Sequence, residues 1–228
     1  MAFRNILSWP NPALKKKSDL VVEFGPDLKS LATDLYDTLN VVTGVGLAAP
    51  QIGVHKRCII VDVAHCDMEN PVITEGLPEN ILVLVNPELA LSGPKHKWVE
   101  ACLSVPDSRG MVERSQFVSV TFSSLDGEEH SLELDWPASG VFQHECDHLD
   151  GVLYVDRMNR ISKDMLLKKI RKKRKKMAEA RRLIREQELR DLGELPETPK
   201  AGRGKASNKK RKKRPGKKNH LNKKRRKK

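Results

Sequence analysis

After Gly25-Pro26 the apolar positions Leu28, Leu31, Leu35 and Leu39 recur at three- and four-residue steps, which predicts an amphipathic helix over 27–42 with Pro26 at its first turn. The period then changes. RCIIVDV (57–63), ILVLVNP (81–87), FVSVTF (117–122) and HSLELDW (130–136) are β-branched or alternating and predict strands. Between the helix and the first strand lies TGVGLAAPQIG (43–53), too rich in glycine for a regular element and too poor in polar turn residues for a linker. SGVFQHECDHLDG (139–151) returns to helical spacing at Val141 or Phe142, Cys146 and Leu149, and ends on a glycine. A buried helix after a run of short strands points to an α+β domain.

From Ser162 the chain is made of strong helix formers up to Gly193, and beyond that of Pro, Gly and Lys. The expected organisation is therefore a folded domain over 1–160, a basic helical extension over 161–193 and a disordered Lys/Arg-rich tail over 194–228, whose composition cannot support a core. Charge sharpens this division. The 228 residues carry 43 Lys+Arg and 30 Asp+Glu, a net +13, which divides into −10 on residues 1–160 and +23 beyond. Four scattered cysteines without a CxxC pair argue for a reducing compartment rather than a disulfide framework. No apolar run is long enough to span a bilayer, and the N-terminus reads as neither a secretory leader nor a transit peptide, so a cytoplasmic protein is expected.

His144-Glu145-Cys146-Asp147-His148 is an HExxH. On a helix, residues four apart share a face, so both imidazoles reach one metal while Glu145 is placed to act as a base on a water there. A catalytic metal takes a third protein ligand. LDGVLYVDRM follows the motif, with the next histidine only at His220 in the tail, so the familiar downstream ligand of HExxH proteases is not expected and the third ligand is sought upstream. The thiols upstream are the soft candidates. Cys146, two residues from each histidine, projects to the other side of the helix and reads as core. Cys102 lies in WVEACLSVP between Glu100 and Ser104, a polar setting that a packing cysteine does not need. In GVGLAAPQIG, the glycines permit close backbone approach, and Gln51 offers an amide that donates to a developing oxyanion without adding charge.

Together these blocks resemble the peptide deformylase family, whose patterns GxGLAAxQxG, EGCxS and QHExDH match Gly44–Gly53, Glu100–Ser104 and Gln143–His148 in the same order, within a resemblance covering about residues 4–160. The resemblance implies antiparallel sheets around a central HExxH helix, and hydrolytic removal of the N-formyl group from the initiator methionine of nascent polypeptides. It implies Cys102, His144 and His148 as metal ligands, with Fe2+ as the usual ion and Zn2+, Ni2+ or Co2+ able to replace it. Glu145 then serves as general base and acid, and Gln51 with the backbone N–H of Leu103 as the oxyanion hole. Val45, Gly46, Trp98 and Val141 fall where the family binds substrate, although the apolar ones read equally as core. A monomer is expected.

One position departs from the family pattern, Ala101 in place of glycine. If the backbone there needs φ > 0, the added Cβ costs about 1 kcal/mol or more. That departure leaves open a related N-acyl amidase with another substrate. The basic clusters at 171–176, 209–214 and 223–228 contain almost no aromatics and read as phosphate contacts. The expected partner of residues 161–228 is the ribosome and its rRNA, with nuclear localisation or an anionic membrane as alternatives of equal electrostatics. A catalytically weak RNA-binding protein on the same scaffold is the reading from a different class.

Overall fold

The structure, a computed structural model, describes residues 3–192. Its elements run α1 (Pro26–Val42), β1 (Gly46–Ala48), β2 (Cys58–Asp62), β3 (Ile81–Cys102), β4 (Val105–Ser123), β5 (Glu129–Leu134), α2 (Ala138–Leu149), α3 (Tyr154–Arg157) and α4 (Arg160–Asp191). The five strands form one antiparallel sheet in chain order, β1-β2-β3-β4-β5. This is an α+β architecture with the HExxH segment on α2.

The run Cys58-Ile59-Ile60-Val61 explains the layering. Ile59 and Val61 pack with Phe142, Cys146 and Leu149 of α2, whereas Cys58 and Ile60 pack with Leu28, Leu31, Leu35 and Leu39 of α1. Side chains alternate along a strand, so a strand apolar at every position needs cover on both faces, and here each face has its own helix. Cys146 belongs to the first of these clusters, as core.

The strands expected at 81–87 and 117–122 are the inner ends of a much longer hairpin of 22 and 19 residues. Register shifts at Val85/Glu88 and Ser92/Lys95 accommodate Pro87 and the Gly93-Pro94 step, because proline cannot donate to the ladder, and a third at Ala101/Cys102 lies at the hairpin turn. The glycine-rich segment holds more regular structure than expected: β1 pairs with β2 through Gly46↔Val61 and Ala48↔Ile59, and a 3-10 turn follows over Ala49–Ile52.

Packing of the body extends past residue 160. Ile170 is 8% exposed and lies in one cluster with Cys102, Val105, Leu153 and Tyr154, with Leu166 and Leu167 packed against it. The first half of α4 is thus part of the catalytic body, whose compact unit closes at Lys176. The described part of the second unit, 177–192, continues as helix, with Leu183, Ile184 and Leu192 exposed and an Arg182–Glu186 ion pair at 3.2 Å. The tail expected over 194–228 lies outside the described residues. Among the described residues no helix is long and apolar enough to cross a membrane.

Candidate active site

α2 carries His144 and His148 one turn apart, and the end of β3 carries Cys102. The thiol and one nitrogen of each imidazole lie within 4.8 Å of one another, all buried. Cys102 Sγ is 3.3 Å from His148 Nε2. One thiol and two imidazoles are a donor set that zinc and iron accept, with room in principle for a further, non-protein ligand. All four thiols are free, and burial pushes Cys58 up to about 12 and Cys146 higher still, so those two are inert.

Charge around these three donors orients them. Burial alone would raise the Glu100 carboxyl, but hydrogen bonds with His144 and Arg114 outweigh it and hold the group at about 2. Glu100 is therefore an acceptor, so His144 donates Nδ1–H to its Oε2 at 2.7 Å and turns Nε2 to the other side of the ring. Burial resists a proton on His144 while bonding to Cys102 and Glu100 favours it more strongly, so a metal ion entering this set would release that proton. Burial and then His144 hold His148 well below the usual imidazole range, in the neutral form a ligand needs.

Arg114, 2% exposed, underlies this arrangement. Its Nε and Nη2 donate to the two oxygens of Glu100 at 2.7 and 3.0 Å, and its Nη1 donates to Asp147 Oδ2 at 2.6 Å. Asp147 also accepts from Arg157. The network pins α2 to β3 and α3. A buried arginine between two buried carboxylates compensates both charges, and without it Asp147 would keep only Arg157, and Glu100 only His144 and Trp98.

Glu145 is buried beside these donors, and burial pushes its carboxyl up to about 7 against the pull of His144. A carboxyl with a pKa near neutrality exchanges a proton readily at neutral pH. Its Oε2 is buried without a hydrogen-bond partner among the described residues, a polar atom waiting for a small polar guest. Gly46 makes the room: a Cβ there would lie 2.8 Å from Glu145 Cγ and 2.9 Å from Oε1. The glycine of the first motif is required by this close approach.

Gln51 is 2% exposed and its amide is oriented by its bonds. Ala48 N–H donates to Oε1 at 2.8 Å, leaving Nε2 to donate to Ser104 Oγ at 3.2 Å with Cys102 Sγ 3.7 Å away. The donor end therefore faces the ligand side. Leu103 follows Cys102 in the turn between β3 and β4. Trp98 reaches the site through its indole, donating to Glu100 Oε1 at 2.9 Å, and packs edge-on to Trp136 with ring centroids 4.5 Å apart. Gly140 admits both rings, since a Cβ there would stand 2.9 Å from Trp98. Val45 and Val141 pack, half-buried, on the α2 cluster.

Ala101 lies in β3 opposite Arg109 with its side chain exposed, outside the left-handed region, so the strain expected of it does not arise. Sequence reasoning assigned no role to Glu100, Arg114, Asp147, Arg157 or Ser104. Glu100 and Asp147 stand inside the motifs and could have been weighed there, whereas Arg114 sits in a polar stretch of strand without any local signal.

The sequence profile of polypeptide deformylase matches residues 3–164. A peptide deformylase of Acidobacterium capsulatum is 38% identical over 172 residues, spanning 75% of this chain and 96% of that protein. One of Desulforudis audaxviator is 40% identical over 164 residues, spanning 72% and 98%. Among solved structures, the peptide deformylase of Legionella pneumophila aligns with a TM-score of 0.67 at 33% identity, over 78% of this chain and 98% of that one. That of Thermotoga maritima aligns at 0.61 and 32%, over 70% and 99%. With the thiol, the imidazole pair, the buried glutamate and the amide brought together in this order on this fold, the chain belongs to the polypeptide deformylase family, hydrolases of protein biosynthesis that remove the N-formyl group from nascent peptides.

Proposed function

We propose that the chain is a metal-dependent deformylase in which Cys102, His144 and His148 hold Fe2+, with Zn2+, Ni2+ or Co2+ as substitutes. The observation that carries the reading is the convergence of these three donors within 4.8 Å, with Glu145 buried alongside. A divalent ion held there supplies Lewis-acid polarisation of the formyl carbonyl and makes water more acidic. Glu145 takes a proton from the attacking water and delivers it to the leaving amine, a shuttle suited to a carboxyl near neutrality. Gln51 Nε2 and the Leu103 N–H donate to the oxygen on which negative charge grows. Val45, Gly46, Trp98 and Val141 line the approach of the formyl-methionyl end, Trp98 through its indole beside Glu100.

The test is Glu145→Gln assayed on formyl-Met-Ala-Ser with iron-loaded protein kept from oxygen. Metal content should stay at one ion while turnover falls by about 10²-fold or more, because the base is lost and no ligand is. Cys102→Ala should lose the metal instead. Wild-type turnover in Glu145→Gln sinks the mechanism.

The basic residues from Ile161 onward tether the enzyme to rRNA at the ribosome, where its substrates emerge. The +23 concentrated there supports this, since a polyanion is the partner that such a charge selects. The protein works as a monomer in the cytoplasm. Cosedimentation with ribosomes should fall with log salt by about 0.7–0.9 per phosphate contact. Binding insensitive to salt would rule the tether out.

A further inference from the structure

The strap formed by residues 7–9 touches the site twice through its backbone. Leu7 N–H donates to the Gln51 carbonyl at 2.7 Å, and Trp9 N–H donates to the Ser104 carbonyl at 2.7 Å. Gln51 and Ser104 are themselves joined through Nε2 and Oγ, so strap, amide and turn form one hydrogen-bonded corner beside Cys102. An amide can stabilise developing charge only if it is held in place before the reaction. What holds the strap in turn comes from α4. The Arg171 guanidinium lies 5.5 Å and that of Arg174 5.7 Å from the centre of the Trp9 ring, and Trp9 packs on the cluster that contains Cys102 and Ile170. Lys173, between them, pairs with Asp107 of β4 at 2.7 Å. Both cations lie over the Trp9 ring, and neither has a carboxylate partner among the ion pairs of the described residues.

We propose that Trp9 is a positioning residue for the Gln51–Ser104 corner, and that Arg171 and Arg174 clamp it. The proposal rests on Gln51 as the oxyanion donor. Both arginines belong to the first basic run of the helix, 171–176.

The experiment uses the full-length, metal-loaded protein and formyl-Met-Ala-Ser. Arg171→Ala/Arg174→Ala should lower kcat about five- to thirtyfold, the range that two exposed cation–π contacts supply, with KM and bound metal unchanged. Arg171→Lys/Arg174→Lys keeps both charges over the ring and should restore most of the rate, and Trp9→Phe should lie well above Trp9→Ala. In a Gln51→Ala background the arginine pair should have no further effect, as expected of groups acting through one another. Wild-type kcat in the double alanine variant, a loss that tracks bound metal, or additive effects with Gln51→Ala would each overturn the proposal. Unchanged kcat in Gln51→Ala alone would instead overturn the oxyanion reading and take the proposal with it.

Discussion

Gly46 and Ala101 mark two different demands on single residues. At Gly46 the backbone passes so close to Glu145 that Gly46→Ala should push the buried carboxylate aside, lowering turnover about tenfold or more while bound metal stays constant. Measuring kcat and metal content on the same preparation separates this from loss of a ligand. At Ala101 the strand is extended and the side chain exposed, so Ala101→Gly should keep the wild-type rate and cost about 0.5–1 kcal/mol of stability, as glycine does in a strand. A gain in rate would show that the methyl group impedes substrate. The HExxH pair was legible in the sequence because its geometry is local to one helix, four residues apart. Cys102 and Gln51 stood out by their polar and glycine-rich settings, but only resemblance joined them to the HExxH pair, since nothing local brings β3 or the 3-10 turn to α2. Arg114 stayed hidden: an arginine amid Glu113, Ser115 and Gln116 reads as a solvent-facing residue, and only the packing of α2 on β4 buries it.

The same contrast holds among elements. α1 and α2 announce themselves by apolar spacing, which a helix imposes within a few residues. The long β3–β4 hairpin does not, because the middle of β3 is largely exposed and broken by Gly93-Pro94 and the facing part of β4 is mostly polar, so it reads as loop. Joints between elements rest on single polar residues. Asp156 accepts from the Leu153 N–H at the start of α3, and pairs with Lys15 and with Lys163 of α4 at 2.7 Å. Burial raises its pKa, but bonding to Lys15 and Lys163 outweighs this and lowers it. A carboxyl depressed in the folded state stabilises above its ordinary pKa and loses that contribution as pH falls through the depressed value. Asp156→Asn should therefore be less stable than the parent at about pH 7 and converge with it in acid. Denaturant melts of both proteins across this range check the sign, and a constant gap at all pH values would refute it.

At the scale of the whole molecule, the catalytic unit closes at Lys176 rather than where the basic composition begins. A chain ending at Lys176 should keep the melting temperature and peptide activity of the full protein. One ending at Arg160 loses Ile170 together with Leu166 and Leu167, and burial of a single aliphatic side chain is worth about 1.5–3 kcal/mol. Its melting temperature should drop by about 4–8 °C, as calorimetry of the two forms would show. Equal stability would return the boundary to residue 160. The order of the strands in space, which is their order in the chain, bears on synthesis as well. Each strand meets its neighbour soon after it is made, whereas α2 comes after all five and α4 after that. A growing chain thus builds its scaffold before its chemistry: until His148 has left the exit tunnel Cys102 has no complete set of partners, and an enzyme that acts on unfinished proteins is itself inactive while unfinished.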